Sequence, residues 1–139
     1  MFRRGRRLRT NSVIRSLVRE NSLSTEDFIY PVFIVEGNNI KREIRSLKGN
    51  YHWSVDKLEE LVKELNEAKV KSVILFGIPE HKDCVGSEAY NEDGIVQKAI
   101  RKLKELDSNL YIITDVCMCE YTNHGHCGIL SNNNVDNDK

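Results

Sequence analysis

Apolar positions along the chain follow two patterns, continuous runs and stripes at helical spacing. Three runs are typical of buried strands: "FIYPVFIVEG" (28–37), "KSVILFGIP" (71–79) and "LYIITDVCM" (110–118). A helix is predicted in each interval between them. One carries the stripe Leu58, Leu61, Leu65 and Ala68, and the other carries Ile95, Ala99, Leu103 and Leu106. We expect the middle run to be covered on both faces and Ser54 to cap the first helix.

The remaining segments carry shorter patterns. In "NSVIRSLVREN" (11–21) four apolar residues at helical spacing predict a short amphipathic helix: Val13, Ile14, Leu17 and Val18. Ser24 and Asp27 have the spacing of a capping box for one turn. Pro31 falls near the start of the first strand, where a missing donor costs least. Residues 41–53 are predicted to be irregular, and "GILSNNNVDNDK" (128–139) to be a polar tail without a helix.

The order strand, helix, strand, helix, strand indicates right-handed βαβ units and an α/β fold with a parallel sheet. Doubly wound sheets and (β/α)₈ barrels both begin in this way. A complete barrel needs ~250 residues, so 139 residues would hold about three βα units of one. In both architectures active sites lie at the carboxyl ends of the strands.

Composition limits the class of protein. Hydrophobic residues make up 40% and charged residues 30%, which is typical of a globular domain. No apolar run reaches the ~20 residues of a membrane span, and the N-terminus lacks the apolar region of a secretory signal. We therefore expect a cytoplasmic protein without membrane contact, whose four cysteines are thiols rather than disulfides.

Charge is balanced overall but concentrated at the N-terminus. The first nineteen residues contain no acid and seven arginines: Arg3, Arg4, Arg6, Arg7, Arg9, Arg15 and Arg19. A contact with an acidic neighbouring subunit is the favoured interpretation, and a solvated arm or an organelle presequence are the alternatives. Nucleic acid is disfavoured because no interleaved aromatic residues accompany the arginines.

Three cysteines lie close together where the third strand ends. On a regular strand Cys117 and Cys119 would face the same side, and Gly125 and Gly128 would let a loop return Cys127 to them. Three thiolates with one open position are typical of catalytic zinc. A fourth ligand from a loop histidine would make the site structural instead. A redox pair is disfavoured without Cys-x-x-Cys, and buried free thiols remain an alternative.

Polar neighbours of the cysteines have two interpretations each. Asp115 would share the face of Cys117 on a regular strand, where it could orient a ligand, stabilise a cation or shuttle a proton. A capping or ion-pair role is the alternative. His124 and His126 could bind metal or hydrogen-bond the backbone of the loop. Cys84 stands apart in the sequence and is expected to be an ordinary thiol.

The segment "DVCMCEYTNHGHCGIL" closely resembles the zinc-binding segment of the delta-aminolevulinic acid dehydratase (porphobilinogen synthase) family. Four further stretches follow in family order: "RRLRTNSVIRSLVREN", "DFIYPVFIVEG", "VGSEAYNEDGIVQKAIR" and "NDK". The resemblance implies the N-terminal portion of a (β/α)₈ barrel. Residues 1–22 would form an arm with a short helix that wraps a neighbouring subunit, usually in a homo-octamer, and residues 23–139 an incomplete barrel.

The resemblance also implies a reaction, the condensation of two 5-aminolevulinate molecules to porphobilinogen with loss of two waters, in haem and tetrapyrrole biosynthesis. Cys117, Cys119 and Cys127 match the ligands of a catalytic zinc, and Asp115 matches an active-site aspartate. Tyr121, His124 and His126 would support the loop. A branch of the family without these cysteines relies on Mg²⁺ instead. In the full-length form of this protein, Mg²⁺ could be an allosteric ion.

Two lysines form Schiff bases with the substrate in this family, and both would lie beyond Lys139. We therefore expect this stretch alone to fold poorly and to lack synthase activity. The alternative is a truncated zinc-binding or assembly module without catalysis.

Overall fold

The computed structural model describes residues 5–132 and 134–138, so Arg3, Arg4 and Lys139 lie outside the described residues. One sheet has five strands in the order β2-β3-β1-β4-β5. Their bounds are β1 Ile29–Val35, β2 Lys41–Glu43, β3 Tyr51–Trp53, β4 Ser72–Ile78 and β5 Tyr111–Thr114. A two-stranded ladder near the C-terminus consists of β6 Leu130–Ser131 and β7 Asn134–Val135.

Three helices accompany the sheet: α1 Ser12–Leu17, α2 Leu58–Ala68 and α3 Ile95–Leu106. Single 3-10 turns occupy Arg7–Arg9, Thr25–Asp27, Val55–Lys57 and Ser87–Ala89. Among the described residues, no helix is long and apolar enough to cross a membrane.

The strands β1, β4 and β5 are parallel neighbours, as the sequence predicted. Ile29 pairs with Ser72 and Val35 with Ile78, while Ser72 pairs with Tyr111 and Leu75 with Thr114. Helix α2 connects β1 to β4 through the β3 region, and α3 connects β4 to β5. The prediction of an α/β fold built from consecutive βαβ units is therefore confirmed, and the carboxyl ends of the three strands lie at one edge.

The core lies between this sheet and the helices α2 and α3. It contains residues from every layer: Val32, Ile34, Trp53, Leu58, Leu61, Val62, Leu65, Val73, Leu75, Ile95, Val96, Ala99, Leu103 and Leu110. Both predicted helical stripes supply core residues. The exception is Ala68, which is exposed, while Val62 is buried.

The prediction that β4 is covered on both faces is wrong for the described chain. Its residues alternate, with Val73 and Leu75 buried against the helices and Ile74 and Phe76 only half-buried on the other face. Phe76 stacks on Phe33 of β1 there, with ring centroids 5.3 Å apart. This second face is the one that the interior of a closed barrel would bury.

The prediction that residues 41–53 are irregular is wrong at both ends of the segment, which are strands, and holds for residues 44–50 between them. β2 and β3 form an antiparallel pair in which Lys41 lies opposite Trp53, and β3 runs parallel to β1 with His52 opposite Phe33. Each strand has only three residues, and "KRE" has no apolar position. Strand periodicity cannot be recognised in so short and polar a segment.

Local capping follows the sequence at one of the two predicted positions, and Asn11 supplies a cap that was not predicted. The Asn11 side chain accepts the Ile14 N–H at the start of α1, and Ser24 and Asp27 form the predicted capping box around Thr25–Asp27. Ser54 does not cap the helix that follows it. Its buried hydroxyl instead accepts the Ile40 N–H at 2.8 Å, a donor that the β2–β3 pair brings within hydrogen-bonding distance.

Candidate metal centre

Three cysteine thiols converge just beyond the carboxyl end of β5. Cys117 Sγ lies 3.5 Å from Cys127 Sγ, and Cys119 Sγ lies 3.2 Å from it. All three sulfurs lie within 4.8 Å of one another, and no cysteine of the chain is in a disulfide. The three cysteines singled out from the sequence lie together, but the backbone that brings them together differs from the prediction.

The third strand is shorter and less buried than predicted. β5 ends at Thr114, and Tyr111 at its start is 65% exposed. The Asp115 N–H still donates to Leu75 O at 3.3 Å, after which the chain leaves the sheet. Cys117 and Cys119 therefore do not converge through strand alternation. A tight turn brings them together, in which both Tyr121 N–H and Thr122 N–H donate to Met118 O at 3.0 Å.

The spacing of the thiols suits a tetrahedral metal ion. Zinc binds thiolate at ~2.3 Å, which places two tetrahedral sulfurs about 3.8 Å apart. The two measured separations are therefore within several tenths of an ångström of a zinc site. Soft sulfur donors select zinc and other thiophilic ions over Mg²⁺. The residues present thus fit Zn²⁺ with three protein ligands and one open position.

The three thiols differ in how readily they ionise. The pKa of Cys127 is lowered because Cys119, the Met118 N–H and Cys117 all hydrogen-bond its sulfur. The pKa of Cys117 is raised to about 12, since a hydrogen bond from the Cys119 backbone, which favours the thiolate, is outweighed by those with the Cys127 and Cys119 thiols and the Glu120 carboxylate. The pKa of Cys119 is also raised, chiefly by its bond to Cys127.

Two carboxylates flank Cys117. Ligand atoms of Asp115, Cys117 and Glu120 lie within 4.8 Å of one another. Asp115 is exposed, so it lies at the mouth of the site. Glu120 was not singled out from the sequence. Its Oε2 atom is buried without a hydrogen-bond partner among the described residues, and only its position between Cys119 and Tyr121 could have indicated a role.

The two histidines lie in the loop but outside the group of three thiols that the described residues form. His124 Nε2 lies 3.3 Å from Cys84 O, and His124 Nδ1 accepts the His126 N–H at 3.2 Å. Backbone hydrogen bonding, one of the two predicted alternatives, is therefore what His124 does here. Cys84 has a free, exposed thiol outside the cluster, as expected of an ordinary thiol, while its backbone carbonyl contacts this loop across 40 positions of sequence.

Tyr121 supports the loop from beneath. Its ring is half-buried, and its hydroxyl lies over Gly77 of β4, where a Cβ atom would be only 2.5 Å from the oxygen. Burial, Glu120 and Asp115 together raise the pKa of Tyr121, so the phenol stays neutral. A cavity of about 370 Å³ adjoins this ring, between α3 and the chain after β5, and both Asp115 and Cys117 line it.

Comparisons with known proteins place this site in a family context. The sequence profile of the family "Delta-aminolevulinic acid dehydratase" matches residues 2–139. A relative of that name from Ruminiclostridium josui is 57% identical over 139 residues, covering 100% of this chain and 68% of the relative. One from Methanothermus sociabilis is 51% identical over 138 residues, covering 99% of this chain and 43% of the relative.

A solved structure has the same fold. The delta-aminolevulinic acid dehydratase (porphobilinogen synthase) of Toxoplasma gondii ME49, in complex with the reaction product porphobilinogen, superposes with a TM-score of 0.91 at 31% identity. The match covers 99% of this chain and 40% of that one. The described architecture is thus the N-terminal portion of a (β/α)₈ barrel. The chain belongs to the delta-aminolevulinic acid dehydratase family.

Proposed function

We propose that the protein carrying this chain condenses two molecules of 5-aminolevulinate to porphobilinogen with loss of two waters. The convergence of three thiols at the carboxyl end of a parallel strand carries the proposal, because active sites of barrel enzymes lie at that end. Family membership supports the reaction, and the bound product in the Toxoplasma gondii enzyme supports a small-molecule substrate of this class.

Cys117, Cys119 and Cys127 would hold a catalytic zinc. A zinc ion with an open position supplies Lewis acidity toward a carbonyl, hydroxyl or amine of the substrate. The three thiolates would hold the ion at the sheet edge with one position open to substrate, while Tyr121 and the loop backbone keep the sulfurs converged. His124 and His126 belong to the supporting loop and not to the ligand set.

Asp115 would handle protons at the mouth of the site. It is exposed, it lines the cavity beside the cysteines, and it lies close enough to Cys117 for its carboxylate to meet a substrate bound at the open position. A carboxylate so placed can accept a proton from an ammonium or hydroxyl group and return it as water leaves. Glu120, whose Oε2 is buried, orients the same side of the loop.

The remaining active-site residues would lie elsewhere in the protein. The Schiff-base lysines expected for this reaction would lie in a part of the protein that this chain does not span; the chain covers 43% of the Methanothermus sociabilis relative. The polypeptide of 139 residues would accordingly be inactive alone. In the same proposal, residues 1–22 form an arm and residues 23–139 the first part of the barrel. The exposed side chains of Leu8, Val13 and Leu17 would contact a neighbouring subunit of a homo-octamer.

The proposal also covers location and metals. Four free thiols fit the reducing cytoplasm. A regulatory Mg²⁺ would bind apart from the thiols, because that ion prefers oxygen ligands.

A second candidate function keeps the zinc and the arm but not the catalysis. It rests on the three converged thiols, which could bind zinc without any catalysis.

One experiment separates the two candidates. The full-length gene product is purified, loaded with zinc and assayed for porphobilinogen from 5-aminolevulinate, with a polypeptide ending at residue 139 assayed beside it. We expect turnover by the full-length product and none by the short polypeptide. Zinc binding without turnover in a full-length product would favour the assembly module, and turnover by the short polypeptide would contradict the assignment of the lysines.

A further inference from the structure

We infer that the turn formed by residues 83–87, organised by Asp83, positions the cysteine loop for metal binding. Asp83 lies more than thirty residues before the first cysteine of the cluster and contacts none of the three thiols in the described chain. The inference rests on the proposed metal function. It adds a positioning residue that acts through the backbone of the loop.

The Asp83 carboxylate holds its own turn together. Its Oδ1 atom accepts the Val85 N–H and the Ser87 N–H, both at 3.0 Å, and its Oδ2 atom accepts the Ser87 hydroxyl at 2.5 Å. Three donors on one side chain fix the backbone from Asp83 to Ser87 in a single conformation. Gly86, at φ +62°, supplies the left-handed residue that the turn requires.

The backbone of this turn pairs directly with the cysteine loop. Asp83 and Thr122 form a parallel β-bridge, and the Asn123 N–H donates to Asp83 O at 3.0 Å. The next residue of each segment is also in contact, since His124 Nε2 lies 3.3 Å from Cys84 O. The two segments thus contact along consecutive residues, so a shift of the turn must move the middle of the loop.

Side-chain packing joins the same segments. A Cβ atom at Gly86 would lie 2.6 Å from Met118 Cε and 3.3 Å from Tyr121 Cβ, which shows how closely the loop lies on the turn. Met118 is the residue between two of the cysteines, and its N–H donates to Cys127 Sγ at 3.3 Å. Displacement of Met118 would therefore change the position of the sulfurs relative to one another.

The second half of the loop is fixed through Thr122. This residue is only 4% exposed, and its hydroxyl donates to His126 O at 3.1 Å, next to Cys127. Thr122 therefore links the bridge at Asp83 to the returning branch that carries the third thiol. Through Met118 on one branch and Thr122 on the other, the turn reaches both sides of the cluster.

Such support has an energetic reason. Ordering a loop costs conformational entropy for each residue, and the loop from Cys117 to Cys127 has no regular secondary structure in which to recover that cost. Bringing three ionising sulfurs within 4.8 Å of one another is a second cost of metal binding. A loop already held in the binding conformation avoids part of both costs, which raises metal affinity without adding a ligand.

The test compares metal affinity in variants of the full-length gene product. Asp83→Ala removes all three hydrogen bonds, Ser87→Ala removes only the one from the hydroxyl, and Asp83→Asn keeps an acceptor for the backbone donors. Asp107→Ala is the matched control, because Asp107 Oδ1 accepts the Asn109 N–H at 2.9 Å in a turn after α3 whose backbone bonds go to Leu103 and Leu110 rather than to the cysteine loop. Zinc affinity is measured by competition with a chromophoric chelator, and the geometry by the thiolate absorption of bound Co²⁺.

We expect Asp83→Ala to weaken zinc binding by about tenfold or more and to reduce the Co²⁺ thiolate absorption. Asp83→Asn and Ser87→Ala should each lose less, and Asp107→Ala should bind as the unsubstituted protein does. A general loss of stability would lower the unfolding midpoints of Asp83→Ala and Asp107→Ala alike. It would not produce the difference in zinc affinity between these two variants. If Asp83→Ala does not fold, the ordering is read from Asp83→Asn and Ser87→Ala against Asp107→Ala.

Failure of the inference and failure of the proposed function give different results. Unchanged zinc affinity and Co²⁺ absorption in the Asp83 and Ser87 variants, beside zinc binding that Cys119→Ser abolishes, would overturn the positioning role alone. An unsubstituted protein that binds no zinc through its three thiols would overturn both.

Discussion

The hydroxyl of Tyr121 lies directly over Gly77, in the space that a side chain on this strand would need. A Cβ atom at position 77 would be 2.5 Å from the hydroxyl oxygen and 2.6 Å from Val96 Cγ2. The last residues of β4 thereby determine where the loop after β5 can lie. Neither residue is a proposed metal ligand, yet the contact fixes the height of the loop above the sheet.

Gly77→Ala is therefore expected to displace Tyr121 and to destabilise the protein by about 1–3 kcal/mol, the usual cost of overpacking a well-packed site. The measurement is denaturant unfolding, with zinc affinity determined on the same samples. Gly5→Ala is the control, because a Cβ atom there meets nothing within 4 Å. Equal stability of the two variants would contradict the contact.

Cys119→Ser should remove one ligand of the zinc ion. Zinc affinity should fall by more than the roughly 10–100-fold loss that removal of an outer-shell partner causes. Cys84→Ser is the matched control, since that thiol is exposed and outside the cluster. Zinc stoichiometry by atomic absorption after gel filtration checks both. An unchanged stoichiometry in Cys119→Ser would refute the ligand assignment.

Lys41 should anchor the β2–β3 pair to α2. Its Nζ atom lies 2.8 Å from Glu60 and 2.6 Å from Glu64, and 4.8 Å above the centre of the buried Trp53 ring. Hydrogen bonds to Glu60 and Glu64 raise the pKa of Lys41, so it remains charged. Lys41→Met is expected to cost about 1–2 kcal/mol of unfolding free energy from two ion pairs and two cation–π contacts, with Trp53 and Tyr51.

The control for Lys41 is Lys63→Met. Lys63 pairs only with Glu59, at 2.7 Å, on an exposed part of α2, and its loss should cost less than about 0.5 kcal/mol. Urea unfolding at low and high salt measures both variants. Part of the Lys41 difference should persist in high salt, because its side chain is only 26% exposed. Equal effects of the two substitutions would argue against an anchoring role.

Stability at acid pH should depend on Asp83. The Ser87 hydroxyl and backbone N–H lower the pKa of Asp83 below its usual value of 3.8. A lowered folded-state pKa means that this carboxylate stabilises the fold fully above pH 3.8 and loses that contribution as the pH falls through the folded-state value. The unfolding midpoint of Asp83→Asn should therefore fall less between pH 5 and about pH 3 than that of the unsubstituted protein.

Thermal unfolding across that range checks the sign. Other carboxylates with lowered pKa values, such as Asp56 and Glu59, titrate in both proteins, so the difference between the two curves isolates Asp83. Parallel curves would show that the carboxylate charge does not stabilise the turn.

The cysteine segment illustrates which features of the site can be predicted from local sequence. Spacing and residue type were enough to select Cys117, Cys119 and Cys127, because thiolate chemistry is a property of the side chains themselves. The assumed mechanism of convergence was wrong, since β5 ends at Thr114 and a turn around Met118 replaces the strand. Strand ends depend on whether a neighbouring strand continues to offer partners, which the local pattern does not encode.

The sequence by itself determined the order of β1, α2, β4, α3 and β5, because the strands form continuous apolar runs and the helices carry apolar stripes at helical spacing. Only the tertiary structure decided the β2–β3 pair, the buried hydroxyl of Ser54 and the contacts of Asp83 and Gly77 with the cysteine loop. Each of these depends on residues well separated along the chain. Such pairs leave no period in the sequence, because the partner of each group is chosen by how the packed elements meet.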